Sequence, residues 1–276
     1  MRPFAGALLF VAGLFALAPP AAAQAPMVST CLAIAEALPG VRYASFSPVP
    51  PLSPIAASVA ANEVRITFAT HSTYLIESAG GVSIATDYAG YAGDGVIPTA
   101  VTMNRAHSTH YTSFPDPAIE QVFRGWNPEG GAAQHHETVG DVLVRNVPTD
   151  IVRGGLRIPD GNSIFILEVA GLCIGHLGHL HHMLTDDHFA QIGRLDIVMV
   201  PVDGGLTLTH TGMTEIVKRL RSSIILPMHI QGFGNLQRFI SMMGDTIETE
   251  VRNQRYITAS LNTLPHRPTL MVLQGN

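Results

Sequence analysis

Residues 66–89 read ITFATHSTYLIESAGGVSIATDYA, and the fold turns on this stretch. From Val64 to Ala69, apolar and polar residues alternate, the mark of a half-buried strand. Thr73 to Glu77 (TYLIE) is a second strand, Ala79-Gly80-Gly81 a turn, and Val82 to Thr86 (VSIAT) a third strand that ends at Asp87. Three short strands joined by glycine-bearing turns form a β-meander.

Downstream, residues 97–103 (IPTAVTM) predict a fourth strand, followed by a loop from Asn104 to Phe114. Pro115 to Phe123 reads as a helix with proline in its first turn. Gly140 to Val147 is a strand, and after an irregular middle Asn162–Ala170 and Leu172–Gly175 form a hairpin turned at Gly171. Thr185 caps a helix running to Ile192, with Asp186 and Asp187 suited to its first turn. Leu195–Val202 (LDIVMVPV) has the continuous apolar character of a strand buried on both faces. A helix over Thr211–Leu220, a strand over Ser223–Pro227, a helix over Asn235–Met243 and a last strand over Thr269–Leu273 complete the series. Strands come first, then strands alternating with helices. Two sheets packed face to face with helices outside, a four-layer αββα sandwich of the α/β class, satisfy that order.

Upstream of the meander, Arg2, the apolar run Ala7–Ala18 and the small-residue site Ala21-Ala22-Ala23 have the layout of a secretory signal peptide over residues 1–23. The apolar run is too short for a bilayer, which takes roughly 20 residues. Residues 24–62 read as an arm, with a short helix near 26–38 and a proline-rich stretch at 47–54 (SPVPPLSP). The domain proper then covers 63–276. Export places Cys31 and Cys173 where a disulfide is permitted; the alternative is two buried thiols. The chain is 46% apolar and 13% charged, with a formal net charge of −5. That supplies a large core and gives no reason to expect nucleic acid or an anionic membrane as partner.

Histidine is the anomaly. Seven of the 13 fall in two windows, His107 and His110 in the first, and His176, His179, His181, His182 and His188 in the second. The first follows a predicted strand directly; the second follows the strand LCIG, with Gly175 and Gly178 free to turn the backbone beside it. A third element, Pro227-Met228-His229, again ends an apolar strand. Three strand ends that each deliver histidine point to a bound metal.

In this order the stretches resemble the metallo-β-lactamase superfamily, in its branch of ascorbate-6-phosphate lactonase-like and predicted metal-dependent hydrolases. RAHSTH (105–110) stands where that branch has H-x-H-x-D-H, HLGHLHH (176–182) resembles its H-L-G-D-L-G-H, and PMH (227–229) its last ligand histidine. The resemblance implies His107, His110, His176, His179 and His229 as metal ligands and His71 as a structural or second-shell residue. It also exposes three departures. Arg105 replaces the first histidine, Thr109 the aspartate, and His179 the aspartate that usually bridges two metals. Without those carboxylates two dications repel strongly, so a single ion held by three or four imidazoles is expected. Imidazole donors suit zinc, copper, nickel or iron, and zinc is the default.

Arg105 then either holds a substrate anion or points to solvent. Asp87 and Asp203, near strand ends, are the candidate general bases; Asp203 also precedes Gly204-Gly205 and so suits a turn. His135, His136, His181 and His182 either line the cleft or are solvated. The leading expectation is a periplasmic or secreted hydrolase of a small ester, lactone or phosphoester, with a small-molecule substrate as partner and a metal-activated water. A metal-binding protein without turnover, a mononuclear iron oxidoreductase, in which a carboxylate ligand is usual, and an inactive scaffold are the competing readings.

Overall fold

The computed structural model describes residues 27–32 and 59–274. The expected signal peptide and the proline-rich stretch of the arm lie outside the described residues; of the helix expected near 26–38, residues 27–32 are described and are not helical, and the rest lies outside. The first sheet takes strands β1 (Val64–Thr70), β2 (Thr73–Ser78), β3 (Ser83–Ala85), β4 (Ala100–Met103) and β5 (Gln121–Arg124). The second begins with β6 (His136–Val139), β7 (Val142–Arg153), β8 (Leu156–Val169) and β9 (Leu172–His176). It continues with β10 (Ile197–Pro201), β11 (Ile224–Met228) and β12 (Glu248–Arg252). The chain then returns to the first sheet with β13 (Tyr256–Ala259) and ends in the second with β14 (Thr269–Leu273). The orders are β13-β1-β2-β3-β4-β5 and β12-β14-β11-β10-β9-β8-β7-β6.

Period-two patterning makes the layers. In β10, Ile197 and Met199 face the first sheet, in one cluster with Ile66, Ile76 and Ile84. Val198 and Val200 face the other way. There they meet Met213, Ile216 and Val217 of helix α2 (His210–Leu220) and Leu236 and Phe239 of α3 (Phe233–Met243). A strand buried on both faces must be apolar throughout, which is why LDIVMVPV shows no alternation. The helix α1 (Asp186–Ile192) is capped as expected, the Thr185 hydroxyl accepting from the His188 N–H while the His188 ring accepts from the Thr185 N–H. On the outer face of the first sheet, Leu75, Ala85, Val101 and Met103 are covered by Tyr88, Ala92 and Ile119 from irregular chain. Among the described residues, no helix covers that face.

Two further expectations are corrected. The helix over Pro115–Phe123 is absent. Asp116 closes one turn, accepting the Ala118 N–H at its side chain (2.9 Å) and the Ile119 N–H at its carbonyl (3.0 Å). Residues 121–124 then pair in parallel with 100–103. A strand at 121–124 buries Phe123 in the sandwich core. The irregular middle is instead a long β7–β8 hairpin that pairs through Pro148↔Ser163 to Arg153↔Leu156. Pro148 is tolerated because β6 pairs with β7 only over 142–145, leaving the other edge without a ladder to break.

Cys31 and Cys173 form a disulfide, with Cα atoms 5.9 Å apart. The short N-terminal segment is further held by Glu168, which accepts from the Ser29 hydroxyl (2.6 Å) and the N–H groups of Thr30 (2.8 Å) and Cys31 (3.2 Å). Glu168 is itself paired with the buried Arg145 at 2.8 Å. The bridge links residues 142 apart in sequence, so loop-closure entropy makes its contribution on the order of 3–5 kcal/mol. Replacing both cysteines by alanine is expected to lower the unfolding free energy by that amount, read as a lower denaturant midpoint. An unchanged midpoint in equilibrium unfolding would show that Glu168 and Arg145 hold the segment without the bridge.

Candidate metal centre

Strand direction gathers the site. β9, β10 and β11 run parallel, so His176, Asp203 and His229 leave neighbouring strands at the same edge. In the first sheet β1, β3 and β4 share one direction, which brings His71, Asp87 and the 104–110 loop to a common edge. Ligand nitrogens of His71, His107, His110 and His229 lie within 4.8 Å of one another. The His179 Nε2 is 3.0 Å from the His107 Nε2, and the His229 Nε2 is 3.3 Å from it.

Four of these rings are held by their far nitrogen. The Nδ1 of His110 meets Asp87 Oδ2 at 2.5 Å, and that of His229 meets Asp203 Oδ2 at 2.9 Å. The Nδ1 of His107 meets the Thr109 hydroxyl at 2.8 Å, and that of His179 meets the His181 Nε2 at 2.7 Å. With a carboxylate accepting at Nδ1, the proton of His110 and of His229 is fixed there, and Nε2 carries a bare lone pair. The His110 Nε2 and the His71 Nε2 are buried with no hydrogen-bond partner. Lone pairs that converge without a shared proton are costly unless a cation sits among them. Zinc bonded tetrahedrally to imidazoles at about 2.0–2.1 Å sets its nitrogens about 3.3–3.4 Å apart. The residues fit such an ion in donor type, spacing and outer-shell orientation.

Electrostatics agrees. Burial first, then the neighbouring His229, His110 and His107, lowers the His71 pKa to about 4. Burial first, then His107 and His229, lowers His110 to about 2. His107, His179 and His181 are shifted down as well, again by burial first. These shifts all favour the neutral imidazole, the form whose lone pair can bind a metal. His71, Asp87 and His229 also sit at positive φ (37°, 42° and 52°), a cost that non-glycine residues bear mainly where function fixes them.

Three assignments change. His176 is no ligand: its Nε2–H donates to the Ser72 carbonyl (2.8 Å) and its Nδ1 accepts the Gly178 N–H (3.1 Å), so both nitrogens are used. Asp87 is no general base. It is wholly buried and accepts from Asn104 Nδ2 (2.8 Å) and His110. Asp203 is equally engaged. One oxygen accepts the N–H groups of Gly205, Leu206 and Thr207; the other takes the Thr207 hydroxyl and His229. Burial alone would raise its pKa, but those hydrogen bonds outweigh burial and hold it far below the usual range. Both aspartates are positioning residues. Arg105 is exposed beside the cluster. Two residues went unassigned as cluster members, His71 and the outer-shell His181. His71 was within reach of the sequence, since the β1–β2 turn and the loop after β4 share an edge once three strands of the meander are set in order.

His182 and His135 serve the fold. His182 accepts the Asp150 N–H (3.0 Å) and bonds the Met183 carbonyl (2.9 Å). His135 bonds the Arg124 carbonyl (2.8 Å) with its ring near Phe123 and Phe165.

The family described as beta-lactamase superfamily domain matches residues 65–229. Among solved structures, a protein from Thermotoga maritima assigned as a Zn-dependent hydrolase of the metallo-beta-lactamase superfamily aligns with TM-score 0.56 and 22% identity. The match covers 77% of this chain and 100% of that one. An isothiocyanate hydrolase from Delia radicum gut bacteria aligns with TM-score 0.51 and 10% identity, over 77% and 97% of the two chains. A metal-dependent hydrolase assignment from Parabacteroides distasonis aligns with TM-score 0.50 and 17% identity, over 64% and 87%. A search of curated proteins gave no match.

Replacing His107 or His229 by alanine is expected to abolish zinc binding, whereas His176→Ala keeps the zinc and loses on the order of 1–3 kcal/mol of stability. Elemental analysis beside an unfolding curve separates the two classes. Zinc lost from the His176 variant at unchanged stability would reverse the assignment.

Proposed function

The chain belongs to the metallo-β-lactamase superfamily, and on that premise we propose that it is an exported, zinc-dependent hydrolase of a small ester, lactone or phosphoester. The observation that carries the reading is the convergence of Nε2 atoms from His107, His179 and His229, joined by the orphaned Nε2 of His110, with every Nδ1 tied back to the protein. A single ion is favoured by charge. Asp87 and Asp203 bring two negative charges into buried surroundings where their only ion-pair partners among the described residues are histidines. Two carboxylates balance one dication, and a second would stand uncompensated. The Cys31–Cys173 disulfide supports export.

Zinc, when bound, would supply Lewis acidity toward the scissile oxygen and lower the pKa of a water it holds. The chain's own residues do the rest. Asp87 and Asp203 keep the His110 and His229 protons on Nδ1 and so keep Nε2 as donor toward the ion. Thr109 and His181 fix the rings of His107 and His179. His107 is the exposed member of the cluster, so the opening to solvent, where a substrate enters, lies on its side. Arg105, two residues earlier and exposed, is suited to a substrate anion.

One observation favours a second reading, a metal-binding protein without turnover: neither aspartate at the centre is free to take a proton. Turnover decides. Zinc-loaded protein is expected to hydrolyse at least one of 4-nitrophenyl acetate, a small lactone and bis(4-nitrophenyl) phosphate, and to lose that activity with a chelator and regain it with zinc. About one zinc per chain with no hydrolysis of any of the three would favour the second reading.

A further inference from the structure

Two of the turns that carry the centre are held by arginines from distant parts of the chain. The first is the turn between β1 and β2. β13 pairs with β1 only from Val64 to Thr67, and Arg255, the residue before β13, continues where that ladder stops. Its carbonyl accepts the Phe68 N–H at 2.7 Å. Its side chain returns to the same strand, Nε donating to the Phe68 carbonyl (3.1 Å) and Nη2 to the Ala69 carbonyl. Both carbonyls lie in an irregularity of the pairing, since the β1–β2 register shifts between Phe68 and Thr70. Such a bulge bends its strand and re-aims the residues that follow. His71 comes next but one, at φ 37°.

That turn is a hub of the centre. The His71 carbonyl accepts the His229 N–H (2.9 Å), and the Ser72 carbonyl accepts from His176 Nε2 (2.8 Å). The Ser72 hydroxyl meets His110 Nδ1 at 3.2 Å. A shift at Phe68 and Ala69 therefore reaches His71, His229 and His110 together.

The second is the loop that carries His107. It closes on itself through the Asn104 N–H on the His110 carbonyl (3.1 Å) and the His110 N–H on the His107 carbonyl (2.9 Å). Between those bonds Arg153, the last residue of β7, donates from Nη2 to the carbonyls of Arg105 (2.8 Å) and Ala106. These are the two residues before His107, the exposed member of the cluster.

The same device occurs twice, a guanidinium donating to two consecutive carbonyls just upstream of a histidine. Ala69 and Ala106 are both buried, so their carbonyls need a donor. Neither Arg153 nor Arg255 has a carboxylate partner among the described residues. A guanidinium holds several N–H groups in one rigid plane and can serve two acceptors at once; an ammonium is a point charge without that geometry.

We propose that Arg255 and Arg153 are positioning residues that set the histidines of the centre in place before an ion arrives. Each acts through the backbone of a histidine-bearing turn and not as a ligand. The inference rests on the metal-binding part of the reading above and adds two residues to it.

The test is titration of metal-free protein with cobalt(II), whose visible bands report how its ligands are arranged, well below the unfolding temperature of each variant. Arg255→Met and Arg153→Met are each expected to weaken cobalt binding about tenfold and to alter the visible spectrum, with Arg255→Lys and Arg153→Lys recovering part of the affinity. Arg194→Met is the control. Arg194 also donates to a carbonyl, that of Gly171 (3.1 Å), but at the opposite end of β9 from the centre. Its variant is expected to lose stability with cobalt affinity and spectrum unchanged. Cobalt bound by the two Met variants as tightly as by the wild type, or more tightly, would overturn the proposal alone. So would an equal loss in the Arg194 variant, which would make the effect one of general stability. Should a Met variant not fold, its Lys counterpart decides, and wild-type affinity and spectrum there would count against the proposal. A wild type that binds neither cobalt nor zinc would overturn the metal-centre reading and this inference together.

Discussion

Asp87 and Asp203 are carboxylates sealed from water, each hydrogen-bonded to the Nδ1 of a buried histidine and neither paired with an arginine or lysine. Burial of an ionised carboxylate costs several kcal/mol unless charge and hydrogen bonds compensate it. Asp203 meets the demand locally, gathering three backbone N–H groups and the Thr207 hydroxyl in the turn after β10. Asp87 has less, an asparagine amide and one imidazole, and its pKa is pushed up chiefly by burial. The arrangement around them follows. The Asn104 amide serves Asp87 and the Ser163 carbonyl together, and its oxygen accepts the Ser163 N–H, stitching the two sheets across the core edge. Gly125 and Gly178 both lie against Asn104, where a Cβ would come within 2.5 Å of its side chain. The site is therefore tied to the sheet-to-sheet packing, and a change at either aspartate reaches both.

The same constraint explains what the sequence revealed. Strands β1, β2, β10 and β14, with α1 and α2, were legible because their burial is regular, period two on a half-buried sheet and a continuous apolar run for β10. β5 was not, because Pro115 read as the start of a helix, and the hairpin tip was not, because the pairing that tolerates Pro148 depends on which edge of β7 is free. β12 was invisible for a different reason. It is an edge strand of alternating charge, Glu248 to Arg252, almost wholly exposed, and such edges are charged to resist further pairing.

The centre was legible as a set of histidines and not as a geometry. Histidine count and spacing drew His107, His110, His179 and His229 together, yet the same signal swept in His176. What excludes His176 is a contact no spacing rule contains: its Nε2 is spent on the Ser72 carbonyl, 104 residues away. The two aspartates were found for the wrong role. Position at a strand end marks a residue as close to the site; only its hydrogen bonds decide whether it faces substrate or a ligand's far side.

Thr109 and His179 stand where the resembling family carries aspartates, and their partners show what the exchange does physically. A carboxylate bonded directly to a metal neutralises it in the first shell. Here the negative charge lies one imidazole further out, on Asp87 and Asp203, and the first shell is neutral. Moving charge outward strengthens the basicity of the imidazoles that transmit it, since an accepted Nδ1 proton leaves more electron density at Nε2. At the same time it removes the bridging group that lets two dications share a site. The His181 imidazole, accepting from His179, supplies for that ring what the aspartates supply for the other two, without adding charge. A centre built this way carries its negative charge in the residues behind the imidazoles and none among the imidazoles themselves.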